Sequence, residues 1–222
     1  GCRRQVEDQI AFVRGQPRIS GAEEPPKKVL VIGSSNGYGL AARIVAAYGC
    51  GASTVGVAFE RPGASSKPGS AGWYNDRALR QAAARDGLGA WSVNGDAFSE
   101  EIKGQALELL REHVGPVDLV VYSIAAPRRQ DPKTGVLHSS VIKPIGKPFT
   151  GKTVDFQSGV VSAITAEPAG SEQEIADTVK VMGGEDWALW IEALEEQGLL
   201  ADGVVTTAFS YIGPSFTVPI YR

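Results

Sequence analysis

Three glycines, Gly33, Gly37 and Gly39, follow a short apolar run of mostly β-branched residues at 28–32. Beyond them, apolar residues recur at helical spacing as far as Tyr48, so the stretch predicts a strand, a tight turn and a helix. Such a turn brings a helix N-terminus and unpaired backbone N–H groups to one point, and glycines let a diphosphate approach without an obstructing Cβ atom. The turn is therefore predicted to bind a dinucleotide, and the alternative is a purely structural turn.

The spacing of these glycines is G-x-x-x-G-x-G, which differs from the G-x-G-x-x-G of ordinary dehydrogenases. It is similar to the pattern of short-chain dehydrogenases/reductases. Because the motif directly follows a predicted strand and starts a helix, cofactor binding is the favoured interpretation. The candidate residues are Gly33, Ser34, Ser35, Asn36, Gly37, Tyr38 and Gly39.

Two acidic residues are predicted at the ends of the next two strands. Glu60 ends the strand predicted at 53–60, where a carboxylate can hold the adenosine ribose hydroxyls and favour NADH over NADPH. Arg61 leaves two alternatives open, because it could pair with a 2′-phosphate or form a solvated strand-end pair with Glu60. Asp96 ends the strand predicted from residue 90 onwards, where it can accept a hydrogen bond from an adenine amino group or act as a turn or cap aspartate.

The elements that must position these residues alternate between strands and helices. An amphipathic helix at 3–14 is expected to pack on the sheet. The strand predicted at 117–125 is apolar nearly throughout, as expected when helices cover both faces of a parallel sheet. Ligands of such sheets bind beyond the carboxyl ends of the strands, so Ser123, Ile124 and Ala125 would lie beside the nicotinamide ribose.

Residues 141–168 interrupt this alternation with short β-like pieces separated by turn residues. They predict a small inserted β-hairpin, and we place acyl-chain contacts near it. Helices are predicted at 171–182 and 185–197, and the tryptophans of the second helix are expected in the core rather than against the cofactor. A last strand is predicted at 204–213. The predicted fold class is α/β, a Rossmann-type doubly wound parallel sheet like that of short-chain dehydrogenases/reductases, with a small β-hairpin insertion.

Composition argues against several classes of function. The 222 residues carry a formal net charge of −3, which offers no basic surface to nucleic acid, and the longest apolar runs are too short to span a membrane. Cys2 and Cys50 form no C-x-x-C motif and follow no secretory signal, so a soluble, cytoplasmic protein is expected. His113 and His138 lie far apart, so no metal site is expected.

The length of the chain fits one NAD-binding domain over residues 1–222, with 141–168 as the inserted hairpin. The sequence begins at Gly1 rather than Met and stops directly after Tyr221 and Arg222. We therefore expect a fragment of a longer reductase.

Several short motifs together carry a resemblance to a known family. They are Gly33-Ser-Ser-Asn-Gly-Tyr-Gly39, Phe59-Glu-Arg-Pro-Gly63, Gly95-Asp-Ala-Phe98, Tyr122-Ser-Ile-Ala125, Lys143-Pro-Ile-Gly-Lys-Pro148, Val181-Met-Gly-Gly-Glu-Asp-Trp187 and Thr206-Thr-Ala-Phe-Ser-Tyr-Ile-Gly213. With these motifs in this order, the sequence resembles the trans-2-enoyl-CoA reductase family, which includes the V-type bacterial enoyl-acyl-carrier-protein reductases. The resemblance covers roughly the N-terminal half of the family.

The resemblance implies NADH-dependent reduction of the trans-2 double bond of enoyl-CoA or enoyl-acyl-carrier-protein thioesters in fatty-acid biosynthesis. It implies that the residues of the glycine turn hold the diphosphate of NADH. It assigns the remaining contacts to Phe59 and Glu60 at the adenosine end, Asp96 and Ala97 at the adenine, and Ile124 and Ala125 at the nicotinamide side. A monomer is expected for the complete protein.

Two tyrosines carry the chemistry that the resemblance implies. The tyrosine matching Tyr211 contacts substrate, and the one matching Tyr221 is the catalytic acid. Without the resemblance, Tyr221 would be assigned a structural role beside an apolar run. The family pattern continues as Y-x8-K, but here nothing follows Arg222, which stands where an aromatic residue is usual.

Two other functions stay open at this stage. One is a carbonyl reductase of the wider short-chain family. The other is an NAD-binding fragment without turnover, because the lysine of the Y-x8-K pattern is missing from the sequence.

Overall fold

Strands and helices alternate along the chain in the computed structural model, which describes residues 1–17 and 24–209. The strands are β1 (Lys28–Ile32), β2 (Ser53–Ala58), β3 (Ala90–Asn94), β4 (Val117–Tyr122), β5 (Arg128–Gln130), β6 (Leu137–Ser139), β7 (Phe149–Val154), β8 (Val161–Ala166) and β9 (Leu200–Ala208). The helices are α1 (Cys2–Arg14), α2 (Gly37–Ile44), α3 (Ala71–Arg85), α4 (Glu100–His113), α5 (Glu172–Met182) and α6 (Glu185–Glu196), and α2 continues into a π-helical turn at Val45–Gly49. None of the helices in these described ranges combines the length and apolar character needed to cross a membrane.

The described residues divide into two compact units, one built from Gly1–Ala125 and Glu185–Phe209 and the other from Ala126–Gly184. The assignment of one domain to residues 1–222, with an insertion at 141–168, stays a prediction.

A parallel sheet with the strand order β3-β2-β1-β4-β9 forms the centre of the first unit. In the middle of the sheet, Leu30 of β1 pairs with Val55 of β2 on one side and with Val120 of β4 on the other. All neighbouring strands run parallel, so their carboxyl ends meet at one edge. The strand order reverses between β1 and β4, where such folds bind ligands. This sheet confirms the predicted Rossmann-type α/β fold.

Both faces of the sheet are covered, which explains the continuous apolar runs of its strands. Leu30 and Ile32 of β1 face a core that includes α4 and α6, whereas Val29 and Val31 face the π-helical turn after α2. The two tryptophans of α6 pack in or against the first of these cores, as predicted.

Helix α1 differs from the prediction in its packing partner. Its buried residues Val6 and Ile10 contact α2 and α3, through Leu40, Ile44 and Leu79, rather than the sheet. The helices α2 and α3 already cover this side, so α1 forms an outer layer on them.

The strands end earlier than their apolar runs suggest. β2, β3 and β4 stop at Ala58, Asn94 and Tyr122, so Glu60, Asp96 and residues 123–125 lie in the loops just beyond. β9 begins at Leu200 rather than Val204, and a register shift against β4 accompanies Gly203, whose φ is +75°. Alternation of apolar residues does not reveal such an irregularity.

The second unit contains two antiparallel strand pairs and α5. β5 pairs with β6, and β7 pairs with β8 from Phe149–Val154 to Val161–Ala166. Helix α5 begins as predicted, since the Ser171 hydroxyl accepts a hydrogen bond from the Glu174 N–H at 3.2 Å. The Glu174 carboxylate accepts from the N–H of Gly170 instead of the Ser171 N–H that an ideal capping box uses.

Candidate functional site

The glycine turn packs the end of β1 tightly against β4 and α2. Gly33 has φ +85°, and a Cβ atom there would overlap the carbonyl group of Ser123. A Cβ atom at Gly39 would overlap the carbonyl oxygen of Gly33 and lie 3.2 Å from the Ser123 Cβ atom. These two glycines are therefore required by close packing at the centre of the sheet edge.

Gly37 serves a different purpose in the same turn. Its φ is +51°, a left-handed value that favours glycine, yet a Cβ atom there would meet nothing within 4 Å. Gly37 is also the first residue of α2. The backbone at the helix N-terminus is thus open on this side, which leaves room for a ligand.

The N-terminus of α2 has the properties of an anion site. In the described part of the chain, the Asn36 side chain makes no capping hydrogen bond to the helix, and the first turn contains no acidic residue. The first N–H groups of a helix point outwards and carry the positive end of its dipole. A diphosphate fits these donors and the open surface at Gly37.

Glu60 is held against this turn through both its side chain and its backbone. Its Oε1 atom accepts hydrogen bonds from the Ser35 hydroxyl at 2.6 Å and from the Asn36 amide at 2.9 Å. The Asn94 amide side chain pairs with the backbone of Glu60, accepting from its N–H at 2.8 Å and donating to its carbonyl at 2.9 Å. The carboxylate therefore occupies a fixed position beside the glycine turn.

A second layer on α3 supports the turn. The buried Asn75 amide donates to the Ser35 carbonyl at 3.1 Å and to the Asn36 side-chain oxygen at 2.9 Å. The sequence patterns did not indicate Asn75 or Asn94 as site residues. Asn94 could have been found from its position at a strand end, whereas the sequence around Asn75 carries no comparable signal.

Asp96 and Ala97 lie in the loop after β3, which neighbours β2. Asp96 Oδ1 accepts from the Phe98 N–H at 3.0 Å, and its carbonyl accepts from the N–H and hydroxyl of Ser99. Asp96 thus makes the turn contacts that were the alternative to adenine binding. Its role toward adenine stays a prediction.

Ser123, Ile124 and Ala125 follow β4 at the switch in strand order. The Ser123 N–H donates to the carbonyl of Ile32 at 2.7 Å, which continues the pairing of β4 with β1 beside Gly33. Ile124 is half-buried and Ala125 exposed. These residues therefore border the glycine turn, as the topology predicts.

Two aromatic rings stand out from the same edge of the sheet. Tyr38 is 69% exposed and Phe59 is 77% exposed. The Tyr38 ring centroid lies 5.8 Å from that of Phe209, which follows β9. Exposed rings of this size are available to cover a planar ligand.

A cavity of about 180 Å³ opens beside Glu60. It is lined by Ala58, Glu60, Trp73, Asp76, Arg80, Ser92, Val93 and Asn94. Burial would raise the pKa of Asp76, but the charge of Arg43 and hydrogen bonds from Ser92 and Arg80 outweigh it and hold that pKa below its ordinary value. The cavity therefore carries two fixed carboxylates that the sequence did not place together.

The remaining predicted site residues, Tyr211 and Tyr221, lie outside the described residues. The residues that the structure brings to one edge are those of the glycine turn, Phe59, Glu60, Asp96, Ala97, Ile124 and Ala125.

Comparison with known proteins identifies the family. A family model described as the trans-2-enoyl-CoA reductase catalytic region matches residues 67–222, and one described as the NAD(P)H binding domain of trans-2-enoyl-CoA reductase matches residues 1–65. The chain is 53% identical over 222 residues to the trans-2-enoyl-CoA reductase [NADH] of Ruminiclostridium cellulolyticum, covering all of this chain and 55% of that protein. It is 55% identical over 221 residues to the enoyl-[acyl-carrier-protein] reductase [NADH] of Saccharophagus degradans, with the same coverage.

The structure is similar to the crystal structure of Treponema denticola trans-2-enoyl-CoA reductase in complex with NAD, with a TM-score of 0.95 and 52% identity. That match covers 100% of this chain and 56% of the other. The chain thus spans about half the length of the curated relatives it matches. It belongs to the trans-2-enoyl-CoA reductase family.

Proposed function

We propose that this protein reduces the trans-2 double bond of enoyl-CoA or enoyl-acyl-carrier-protein thioesters with NADH, in fatty-acid biosynthesis. The observation that carries the proposal is the Glu60 carboxylate held against the glycine turn by Ser35 and Asn36. It places a carboxylate beside an anion site at a helix N-terminus, an arrangement with which dinucleotide-binding folds hold the diphosphate and the ribose hydroxyls of NADH.

The glycine turn would hold the diphosphate. Its support is the open backbone at Gly37 and the uncapped N-terminus of α2 in the described structure. Ser34, whose hydroxyl donates to the Val57 carbonyl at 3.2 Å, would keep the turn attached to β2.

Glu60 would bind the adenosine end of the cofactor and so favour NADH over NADPH. Its carboxylate would accept hydrogen bonds from the ribose hydroxyls, with the Phe59 ring beside it. A 2′-phosphate about 4 Å from this charge would cost about 4 kcal/mol at an effective dielectric constant near 20. The Arg61 N–H donates to the Ser70 hydroxyl at 3.0 Å, which fixes the Arg61 backbone. Its side chain would remain in solvent and would not pair with a 2′-phosphate.

The bases at the two ends of the cofactor would contact the loops along the sheet edge. Asp96 and Ala97 would contact the adenine, and Ile124 and Ala125 the nicotinamide side. Bound NADH would supply the hydride that adds to the β-carbon of the acyl chain.

The tyrosines would act on the thioester. Negative charge develops on the thioester oxygen as the double bond is reduced, and a phenol within hydrogen-bond reach stabilises it and donates a proton. We assign the donation of this proton to Tyr221, and we assign a substrate contact to Tyr211. The support for both roles is the family match over residues 67–222.

The cytoplasm is the proposed location, and a monomer the proposed state of the complete protein. The free thiols of Cys2 and Cys50 support a reducing compartment.

The proposal is tested by steady-state turnover of the protein as its gene encodes it, with crotonyl-CoA and with a simple ketone. We expect NADH to be consumed with crotonyl-CoA and not with the ketone. Tyr221→Phe should remove most of the activity, whereas the control Tyr48→Phe, which loses only a hydrogen bond to Asp86, should retain it. Preference for the ketone, or full activity of Tyr221→Phe, would contradict the proposal.

A further inference from the structure

A buried ion pair joins α4 to α6 in the first unit. Lys103 Nζ lies 2.9 Å from Asp186 Oδ1, and the two side chains are only 2% and 1% exposed. The Tyr122 hydroxyl donates to Asp186 Oδ2 at 3.0 Å. Buried ion pairs are commonly no more stabilising than apolar side chains of similar volume. Stability alone therefore does not account for these charges.

The Lys103 ammonium group also reaches the loop after β3. Lys103 Nζ donates to the carbonyls of Ala97 at 3.3 Å and Phe98 at 3.1 Å, and the Trp190 indole N–H donates to the Ala97 carbonyl at 3.2 Å. An ammonium group has three N–H donors, and the three acceptors Asp186, Ala97 and Phe98 match that number. Asp186 thus orients an ammonium group whose other hydrogens fix two consecutive carbonyls.

The loop fixed in this way is the one that carries Asp96 and Ala97. On its other side, Asp96 Oδ1 accepts from the Phe98 N–H at 3.0 Å. The backbone of residues 96–98 is therefore held at both its carbonyl and its N–H groups, at the carboxyl edge of β3.

We propose that Lys103, Asp186 and Trp190 are positioning residues for the adenine subsite: they hold the backbone of residues 96–98 where the adenine of NADH binds. The inference rests on the proposed function, since it takes NADH as the ligand. These residues act through the loop and touch neither the nicotinamide nor the thioester.

This role makes a selective prediction. Loosening the loop should weaken the binding of NADH by about tenfold, the effect of roughly one lost hydrogen bond. It should leave kcat at saturating NADH unchanged. Reduced nicotinamide mononucleotide lacks the adenosine half, so its kcat/KM should not change.

The experiment uses the full-length protein and two variants that differ in severity. Trp190→Phe removes one donor to the Ala97 carbonyl and keeps the ion pair. Lys103→Met combined with Asp186→Asn removes both charges and keeps an acceptor for Tyr122. The matched control is Trp187→Phe on the same helix, which loses an indole hydrogen bond to Thr206 instead.

We expect both test variants to raise the Kd for NADH, measured by fluorescence titration, and to leave kcat/KM for the mononucleotide at the parental value, whereas Trp187→Phe changes neither. Provided that the parent protein binds NADH, two results would overturn the inference. One is an equal loss of kcat/KM with NADH and with the mononucleotide, and the other is an unchanged affinity for NADH in folded Trp190→Phe. A parent protein that binds no NADH would refute the proposed function and this inference with it.

Discussion

At the scale of single residues, Gly37 is the glycine of the turn that is open to a ligand and is not enclosed by packing. Gly33 and Gly39 are fixed by close packing against Ser123 and one another, but in the described structure a Cβ atom at Gly37 would meet nothing within 4 Å beyond its chain neighbours and the backbone of its own helix. A side chain at residue 37 would occupy the open space in front of the α2 N-terminus, where we propose that the diphosphate binds.

We predict that Gly37→Val abolishes measurable NADH binding in a fluorescence titration. Gly51→Val is a matched control, because Gly51 also has positive φ, +71°, with nothing within 4 Å of a Cβ atom, but lies after the π-helical turn away from the site. Each substitution should cost about 1–2 kcal/mol in unfolding free energy, since both force a left-handed conformation on a branched residue. Binding by Gly37→Val as tight as that of Gly51→Val would remove the basis for the diphosphate site.

Asp96→Ala should weaken NADH binding by about 1–3 kcal/mol, the usual cost of leaving a hydrogen-bonding group unpaired. It should also lower stability, because Asp96 Oδ1 accepts from the Phe98 N–H. Asp155→Ala is the control, since Asp155 Oδ1 caps the turn between β7 and β8 by accepting from the N–H groups of Gln157 and Ser158. If Asp96→Ala loses stability alone, as Asp155→Ala should, then Asp96 is only a turn residue.

At the scale of elements, a buried guanidinium ties α2 to α3 and β3. Arg43 Nη1 donates to Asp76 at 2.9 Å and to the Ser92 hydroxyl at 2.9 Å, and Nη2 donates to the Trp91 carbonyl. Gly56 of β2 makes room for this side chain, because a Cβ atom there would overlap the guanidinium. Two members of this network, Asp76 and Ser92, line the cavity beside Glu60, so the network fixes part of the cavity wall.

The Asp76 carboxylate should make stability depend on pH. Its pKa in the folded protein is lowered, with the opposing effect of burial outweighed by Arg43, Ser92 and Arg80. Its contribution is therefore present above the ordinary carboxyl pKa of about 4 and is lost as pH falls through the lower folded value. We predict that Asp76→Asn costs about 3 kcal/mol at neutral pH, and that the gap to the parent narrows below about pH 4.

Chemical denaturation across this pH range is the measurement. Asp8→Asn is the control, because the carboxylate of Asp8 pairs with Arg4 at 3.8 Å on the exposed surface of α1 and should change stability by less than about 1 kcal/mol. A gap between the parent and Asp76→Asn that stays constant with pH would show that the ion pair does not titrate as described.

The sequence predicts the elements well and their contacts poorly, for physical reasons. The spacing of apolar residues and the β-branched residues mark the helices and strands, because the burial of a face leaves a local pattern in the sequence. The ends of the strands are less certain, since Glu60 and Asp96 lie beyond the strands that were expected to include them. The partners of Glu60 were not predicted, since Ser35 and Asn94 are 25 and 34 residues away and only the parallel sheet brings them together. The Lys103–Asp186 pair spans 83 residues and carries no local signal.

At the scale of the molecule, the proposed cofactor residues all fall within Gly1–Ala125 of the first unit. They come from the glycine turn and from the loops after β2, β3 and β4, which share one edge of the sheet. The choice between NADH and NADPH should therefore be decided by this unit, and by Glu60 within it.

The most direct test of the account is kcat/KM for crotonyl-CoA reduction, measured with NADH and with NADPH in the parent protein and in Glu60→Gln. The parent should prefer NADH by about one to three orders of magnitude, because a 2′-phosphate would face the Glu60 carboxylate. Glu60→Gln keeps an oxygen for Ser35 and Asn36 but removes the charge, so the preference should fall at least about tenfold through a gain with NADPH. Equal use of the two cofactors by the parent, or an unchanged preference in Glu60→Gln, would contradict the account.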